Sequence, residues 1–173
     1  PVNTNHDFTY DGIGQRKSMK SPLNKLTSYT YNGNRKLTKI ERPSGKTVVN
    51  TYVDDKLASS ITNEATTSYE YIFNNKIGTI TKDNEKIVFT YDGDLITSLA
   101  YSGELNQSLS YTYNNDFLPT SFTYAGVTEN YTYDNDNLLL SSADYTLTRD
   151  IDNAYVTKLT DGTLVQDYTY DNY

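Results

Sequence analysis

A tyrosine returns about every twenty residues along this chain, usually inside a Tyr-x-Tyr-Asp/Asn phrase that runs into a turn. The phrase reads Phe8-Thr9-Tyr10-Asp11, Tyr29-Thr30-Tyr31-Asn32, Tyr69-Glu70-Tyr71, Thr90-Tyr91-Asp92, Tyr111-Thr112-Tyr113-Asn114, Tyr131-Thr132-Tyr133-Asp134 and Tyr168-Thr169-Tyr170-Asp171. The second aromatic of each phrase marks a repeat anchor: Tyr10, Tyr31, Tyr52, Tyr71, Tyr91, Tyr113, Tyr133 and Tyr170, with Ile151 filling the place between the last two. The gaps between these nine positions are 21, 21, 19, 20, 22, 20, 18 and 19 residues. A period of this length means one supersecondary unit stacked on copies of itself. Each unit then packs mainly on its neighbours, and no single central core forms.

One unit contains two strands and two turns. In Tyr29-Thr30-Tyr31 the rings point to one face of a strand and the threonine to the other. Asn32-Gly33-Asn34 follows, and Asn-Gly is a strong hairpin signal because both residues tolerate positive φ. The return strand carries aliphatic pairs four residues apart, Leu57 and Ile61, Leu95 and Leu99, Leu118 and Phe122, Tyr155 and Leu159, a spacing that places both members on one face. Leu37 with Ile40, and Ile77 with Ile80, are three apart, so a turn or bulge must absorb a residue in those two units. Pro43-Ser44-Gly45, Ser102-Gly103, Ala125-Gly126 and Asp161-Gly162 mark the opposite turn, while Asn84, without a glycine beside it, is a weaker signal. Residues 12–24, rich in Lys and Ser, read as a polar loop in a longer first hairpin. No window sustains a helical period.

The chain is therefore expected to be all-β: tandem antiparallel hairpins in one continuous curved or spiralling sheet, with about eight units and roughly sixteen strands over residues 1–173. Both ends fall inside a repeat phrase, which suggests part of a longer protein.

Composition narrows the partners. With 36% hydrophobic residues and 18 tyrosines, faces that are half aromatic and half wet fit better than two thick aliphatic layers. A net charge of −7 argues against nucleic acid and against an anionic membrane surface. No apolar run approaches the ~20 residues that span a bilayer. The opening residues, Pro1 to Thr4, show neither the basic start nor the apolar stretch of a signal peptide. There is no cysteine, hence no disulfide and no thiolate metal site.

Signals for chemistry are weak. His6 is the single histidine, so a Ser-His-Asp or Cys-His arrangement has one candidate base, and it lies among polar residues. Asp134-Asn135-Asp136-Asn137 opens like a calcium loop, but Leu138 and Leu139 follow and the twelfth position is Tyr145 in place of glutamate. Turn chemistry explains it better, as it does Asp54-Asp55 and Asp92-Gly93-Asp94. Nothing lifts a pair of carboxylates above chance for glycoside cleavage. Asn106-Gln107-Ser108 and Asn130-Tyr131-Thr132 match the glycosylation sequon, as a chain this rich in Asn and Thr does by composition. No cofactor and no metal are expected.

The stretch from Tyr29 to Lys46 resembles a YD repeat of the Rhs family, and Tyr111 to Gly126 and Tyr131 to Thr146 resemble further copies. The resemblance covers essentially the whole chain and is specific as a tandem set. The family includes bacterial Rhs polymorphic toxins, the B and C components of insecticidal toxin complexes, and the YD shells of teneurins. It implies a β-ribbon that spirals into a hollow shell, secretion or display at a cell surface, and, as partners, the rest of the same shell and an enclosed C-terminal effector. The Asp-Pro-x-Gly self-cleavage signature that closes such shells has no match in these residues.

Two functions are therefore expected candidates: a non-catalytic structural module of an encapsulating shell, or a module that binds carbohydrate or a partner protein through its tyrosines. Ladder tyrosines should be mostly buried and in mutual contact; a sugar platform needs at least two coplanar, exposed rings. Unpaired strands near Phe8–Tyr10 and Tyr168–Tyr170, the first partly shielded by the loop at 12–24, are expected either to meet as the ribbon curls or to pair edge to edge with another chain, with self-association slightly favoured.

Overall fold

The computed structural model describes residues 4–171; Pro1, Val2 and Asn3, read above for a leader, lie outside them, as do Asn172 and Tyr173. The described residues form seventeen strands of one antiparallel sheet, in two compact units divided between Ile87 and Val88. The first unit holds β1 (Asp7–Tyr10), β2 (Arg16–Lys20), β3 (Leu26–Tyr31), β4 (Leu37–Glu41), β5 (Thr47–Val53), β6 (Lys56–Thr62), β7 (Thr66–Tyr71) and β8 (Ile77–Lys82). β9 (Glu85–Asp92) contains the division. The second unit continues with β10 (Leu95–Ser102), β11 (Gln107–Tyr113), β12 (Pro119–Tyr124), β13 (Val127–Tyr133), β14 (Leu139–Ser142), β15 (Tyr145–Arg149), β16 (Val156–Thr160) and β17 (Val165–Asp167). From β1 to β8, and again from β10 to β17, each strand pairs antiparallel with its successor. Helix is confined, among the described residues, to one 3-10 turn, Phe73–Asn75.

Every unit with a full register carries a bulge at the same place. Thr30 pairs with Lys39 but Tyr31 with Leu37, so Thr38 is left unpaired. The same step skips Lys17, Ala58, Gly78, Thr120, Leu140 and Thr157. An extra residue resets the alternation of faces. Residues three apart across the bulge therefore share a face: Leu37 with Ile40, Ile77 with Ile80, Pro119 with Phe122, Val156 with Leu159. The expected four-residue pairing fails for this reason. Leu57 lies beside Tyr52, whereas Ile61 pairs with Val49 on the other face and is 40% exposed. Leu118 and Tyr155 precede their strands. The bulge expected in two units is a property of the repeat.

Residues 12–24 are not a loop: they contain β2, flanked by two tight turns. Nor do Tyr168 and Tyr170 form a terminal strand, since β17 ends at Asp167.

The sheet has one apolar and one hydroxylated face. Threonines that precede an anchor tyrosine meet hydroxyls across the strand, as in Thr9 with Ser18 at 2.6 Å, Thr51 with Ser59 at 2.7 Å and Thr132 with Ser141 at 2.6 Å. The opposite face carries the tyrosine rings and their aliphatic partners. Among the described residues no hydrophobic side chain is fully buried, so packing is lateral, between neighbours on one face.

Candidate functional surface

The bulge sets up the chemistry of the tyrosine row. It draws the return strand off the ladder with the next outgoing strand. The β4–β5 ladder stops at Lys39 with Val49, leaving the Leu37 carbonyl beyond its last rung. A carbonyl withheld from water needs a donor. The hydroxyl of Tyr52 donates to Leu37 O at 2.9 Å, and Asn50 Nδ2 donates to the same oxygen at 3.1 Å. The contact recurs: Tyr113 donates to Ile96 O, Tyr133 to Pro119 O and Tyr170 to Val156 O, each at 2.8 Å. Pro119 is itself the partner of Tyr113, so the acceptor lies opposite the previous anchor.

Between Tyr133 and Tyr170 the donor is an arginine. Arg149 occupies the bulged register position, paired with Val156, and donates from Nη2 to Leu139 O at 3.3 Å, the carbonyl opposite Tyr133. Its Nη1 donates at 3.0 Å to Ala154 O, in a turn one residue longer than the others, and its buried Nε has no partner. Ile151, given this place by spacing, instead lies 97% exposed in that turn. A guanidinium and a phenol share no hydropathy signal, so periodicity passed over Arg149. Its offset from Val156, matching Tyr31 to Leu37 plus the one-residue longer turn, was the available clue.

After Tyr10, Tyr31, Tyr113 and Tyr133 the acidic or amide residue that follows caps a turn. Asn32 Oδ1 accepts from the backbone N–H of Asn34 at 3.0 Å and of Lys36 at 2.9 Å. Asp11, Asn114 and Asp134 do the same. The left-handed residue is the fourth of the turn, Arg35 at φ 62, Phe117 at 64 and Asn137 at 64. Gly33 is not among the positive-φ glycines, so Asn32-Gly33 is a side-chain-capped loop and not a two-residue hairpin turn. Two-residue turns do occur at Asp54-Asp55 (φ 48 and 61) and Ala125-Gly126 (φ 50 and 80). Asp134-Asn135-Asp136-Asn137 is thus a turn whose leading carboxylate is engaged by backbone amides.

The remaining expected anchors are placed as follows. Tyr10 pairs with Arg16 and is 57% exposed; Tyr31 pairs with Leu37 and Tyr71 with Ile77, both half-buried; Tyr91 lies half-buried on β9; Tyr170 is 52% exposed. Rings pack on one another in places: Tyr111 and Tyr113 are 6.5 Å apart at 30°, Tyr111 and Phe122 5.2 Å apart at 37°, Tyr155 and Tyr170 4.9 Å apart at 46°. Partial burial, then the Glu129 carboxylate accepting its hydroxyl at 3.2 Å, pushes Tyr131 above the usual phenol range. His6 is exposed. Of the sequon asparagines, Asn106 donates from Nδ2 to Gly103 O at 3.1 Å and Asn130 pairs with Ser121 in β13. Among the described residues no group of three or more His, Asp or Glu is gathered to hold a metal.

The fold occurs in solved structures. The chain matches a crystal structure of TcdB2-TccC3-Cdc42 with TM-score 0.63 at 16% identity, over 90% of this chain and 11% of that one. It matches TcdB2-TccC3-TEV with TM-score 0.62 at 16% identity, over 96% of this chain and 11% of that one. It also matches the Photorhabdus luminescens Tc holotoxin pore carrying the TccC3 D651A mutation, with TM-score 0.56 at 14% identity, over 96% and 12% of the two chains. The chain has a YD-repeat, shell-type fold. At such identities the likeness is one of fold, and the chain spans about a ninth of the length of those it matches. No family model and no curated protein matches the chain. In YD-repeat terms, the tyrosine closes the carbonyl left by the preceding bulge, and the aspartate caps the turn that follows.

Proposed function

We propose that this chain is a non-catalytic wall module: a stretch of a hollow β-shell, in a secreted Rhs-type protein, that encloses a C-terminal effector. The observation that supports it best is the repeated closure of the bulge carbonyl by the next anchor, at Tyr52, Tyr113, Tyr133, Arg149 and Tyr170. At these five places it locks a unit to the one before it, which is what a wall extended by repetition requires. A sheet without a buried apolar core among the described residues, and the fold likeness to toxin-complex proteins, point the same way. The rest of the shell and its effector are the partners under this reading.

The anchor tyrosines are structural here. Four of their hydroxyls are held by backbone carbonyls, and the Tyr111–Phe122 and Tyr155–Tyr170 rings are tilted by 37° and 46°, which suits a ladder better than a flat sugar platform. No helix among the described residues is long and apolar enough to cross a membrane.

Limited proteolysis of the complete polypeptide tests the proposal. A C-terminal segment should resist protease under native conditions and become cleavable when anchors such as Tyr113 and Tyr133 are replaced by alanine. Cleavage of that segment at the same rate in both proteins would refute enclosure.

A further inference from the structure

Asn-Gly occurs once in the chain, at Asn32-Gly33, and the turn it opens is tied to the turns on both sides. Both residues are exposed, and a β-carbon built at Gly33 would meet nothing within 4 Å. An exposed Asn-Gly pair is prone to lose ammonia, because glycine leaves its own amide nitrogen open to attack the asparagine side chain. The turn stands against that reaction. Asn32 Oδ1 accepts from the amides of Asn34 at 3.0 Å and Lys36 at 2.9 Å, and its backbone oxygen accepts from Arg35 N at 3.0 Å. Both oxygens of Asn32 therefore converge on one stretch, residues 34–36. In the cyclic imide through which ammonia is lost, the same two oxygens stand on opposite sides of the ring nitrogen. The imide and the closed turn exclude each other. Side chains from the adjoining turns hold it closed: Gln15 Nε2 donates to Arg35 O at 3.2 Å, and Asn34 Nδ2 donates to Asp55 Oδ1 at 2.9 Å.

We propose that Asn32 is a latent modification site, closed by the wall itself, that deamidates when contact with the adjoining turns is lost. Gly33 N attacks Cγ and forms the new C–N bond, the Cγ–Nδ2 bond breaks, and ammonia leaves with the Gly33 amide proton. Water then opens the ring, its hydroxyl going to one carbonyl carbon and its proton to the ring nitrogen. Nothing is oxidised or reduced. Opening at Cγ gives an aspartate, whose carboxylate fits the turn as those of Asp11 and Asp134 fit theirs. Opening at the backbone carbonyl carbon gives a β-linked residue, which lengthens the main chain and removes the cap. Loss of contact between turns thus leaves a lasting mark on the chain. Asn114 is held by the same two bonds but precedes Asn115, whose side chain crowds the attacking nitrogen, so it is the internal control. The proposal concerns this one turn and holds with or without an enclosed effector.

The test incubates the 173-residue chain in mildly alkaline buffer, folded and in urea, and follows the tryptic peptide of residues 26–35 by mass spectrometry. A gain of about 1 Da at Asn32 should appear at least about tenfold more slowly in the folded chain, since only open turns react. Gln15→Ala removes one of the two side-chain ties. Asp55→Gly removes the other and keeps the left-handed backbone of that position, φ 61. Each should raise the folded rate at least about threefold and leave the rate in urea unchanged. Asn114 should react more slowly than Asn32 in urea and respond to neither substitution. Equal rates in the folded and unfolded parent chain would overturn the protection, and that comparison needs no variant to fold. Unchanged folded rates in both variants would overturn the link to the adjoining turns.

Discussion

The turns after β7 and after β13 close with the same backbone hydrogen bond but differ in chemistry, and the first carries two left-handed residues, Asn74 and Asn75, where the second carries one, Asn137. In both, the first residue's N–H donates to the carbonyl four residues on: Ile72 to Lys76 at 2.8 Å, Asp134 to Leu138 at 3.0 Å. After β13 the Asp134 carboxylate gathers two further amides, and the bulge residue is Leu140. After β7 no carboxylate is available. The Ile72 side chain instead lies over the bulge residue Gly78, which with its neighbour Thr79 is buried. A polar cap and an apolar cover are thus interchangeable, provided the residue beneath changes with them. A β-carbon built at Gly78 would run into Ile72 Cγ2.

The largest expected effect strikes the row that both turns serve. Tyr113→Ala loses a half-buried ring and leaves Ile96 O without its donor, and should cost about 3 kcal/mol in chemical denaturation. That is at the lower end of the roughly 3–5 kcal/mol typical of a fully buried aromatic, because no hydrophobic side chain among the described residues is fully buried. Thr112→Ala, on the other face, should cost less than about 1 kcal/mol; equal costs would break the assignment of faces. Next is the apolar turn. Gly78→Ala should cost about 2 kcal/mol, and adding Ile72→Ala should restore most of it, a coupling that a double-mutant cycle reads directly. The polar turn follows: Asp134→Ala should cost about 1–2 kcal/mol by removing two amide acceptors. Ile72→Ala alone should leave backbone hydrogen exchange in its own turn nearly unchanged. Tyr133→Phe, which keeps the ring and deletes the donor to Pro119 O, should cost about 1 kcal/mol.

The smallest effect is a pH dependence. The amides of Leu164 and then Thr163 donate to Asp161 Oδ1 and hold its carboxyl below the usual range. A depressed folded value means that the stabilisation is complete above the ordinary carboxylate value and is lost as pH falls through the lower one. Melting temperature should therefore drop below about pH 4 in a part that Asp161→Asn removes. An identical pH profile in the variant would show that this cap contributes nothing.

Much of the fold was legible in the residues. The tyrosine period places the units, and Thr between tyrosines marks the hydroxylated face. The Asp or Asn after Tyr10, Tyr31, Tyr113 and Tyr133 marks a turn, although Asn32-Gly33 reads as a two-residue turn and is a capped loop. The return strands were harder. Leu57 and Ile61 are four apart and look like one face, yet the bulge at Ala58 separates them. Leu37 and Ile40 carried the correct spacing and looked like the exception.

By itself the sequence determined an all-β chain of tandem hairpins, because local alternation and turn chemistry act over a few residues and repeat along the chain. Only the tertiary structure decided the bulge, the carbonyl that each anchor meets, and the placing of Arg149 in a row of tyrosines. Those depend on where a ladder stops and which oxygen it leaves over. A backbone acceptor without a partner is defined by three strands at once and takes any donor that reaches it, phenol or guanidinium.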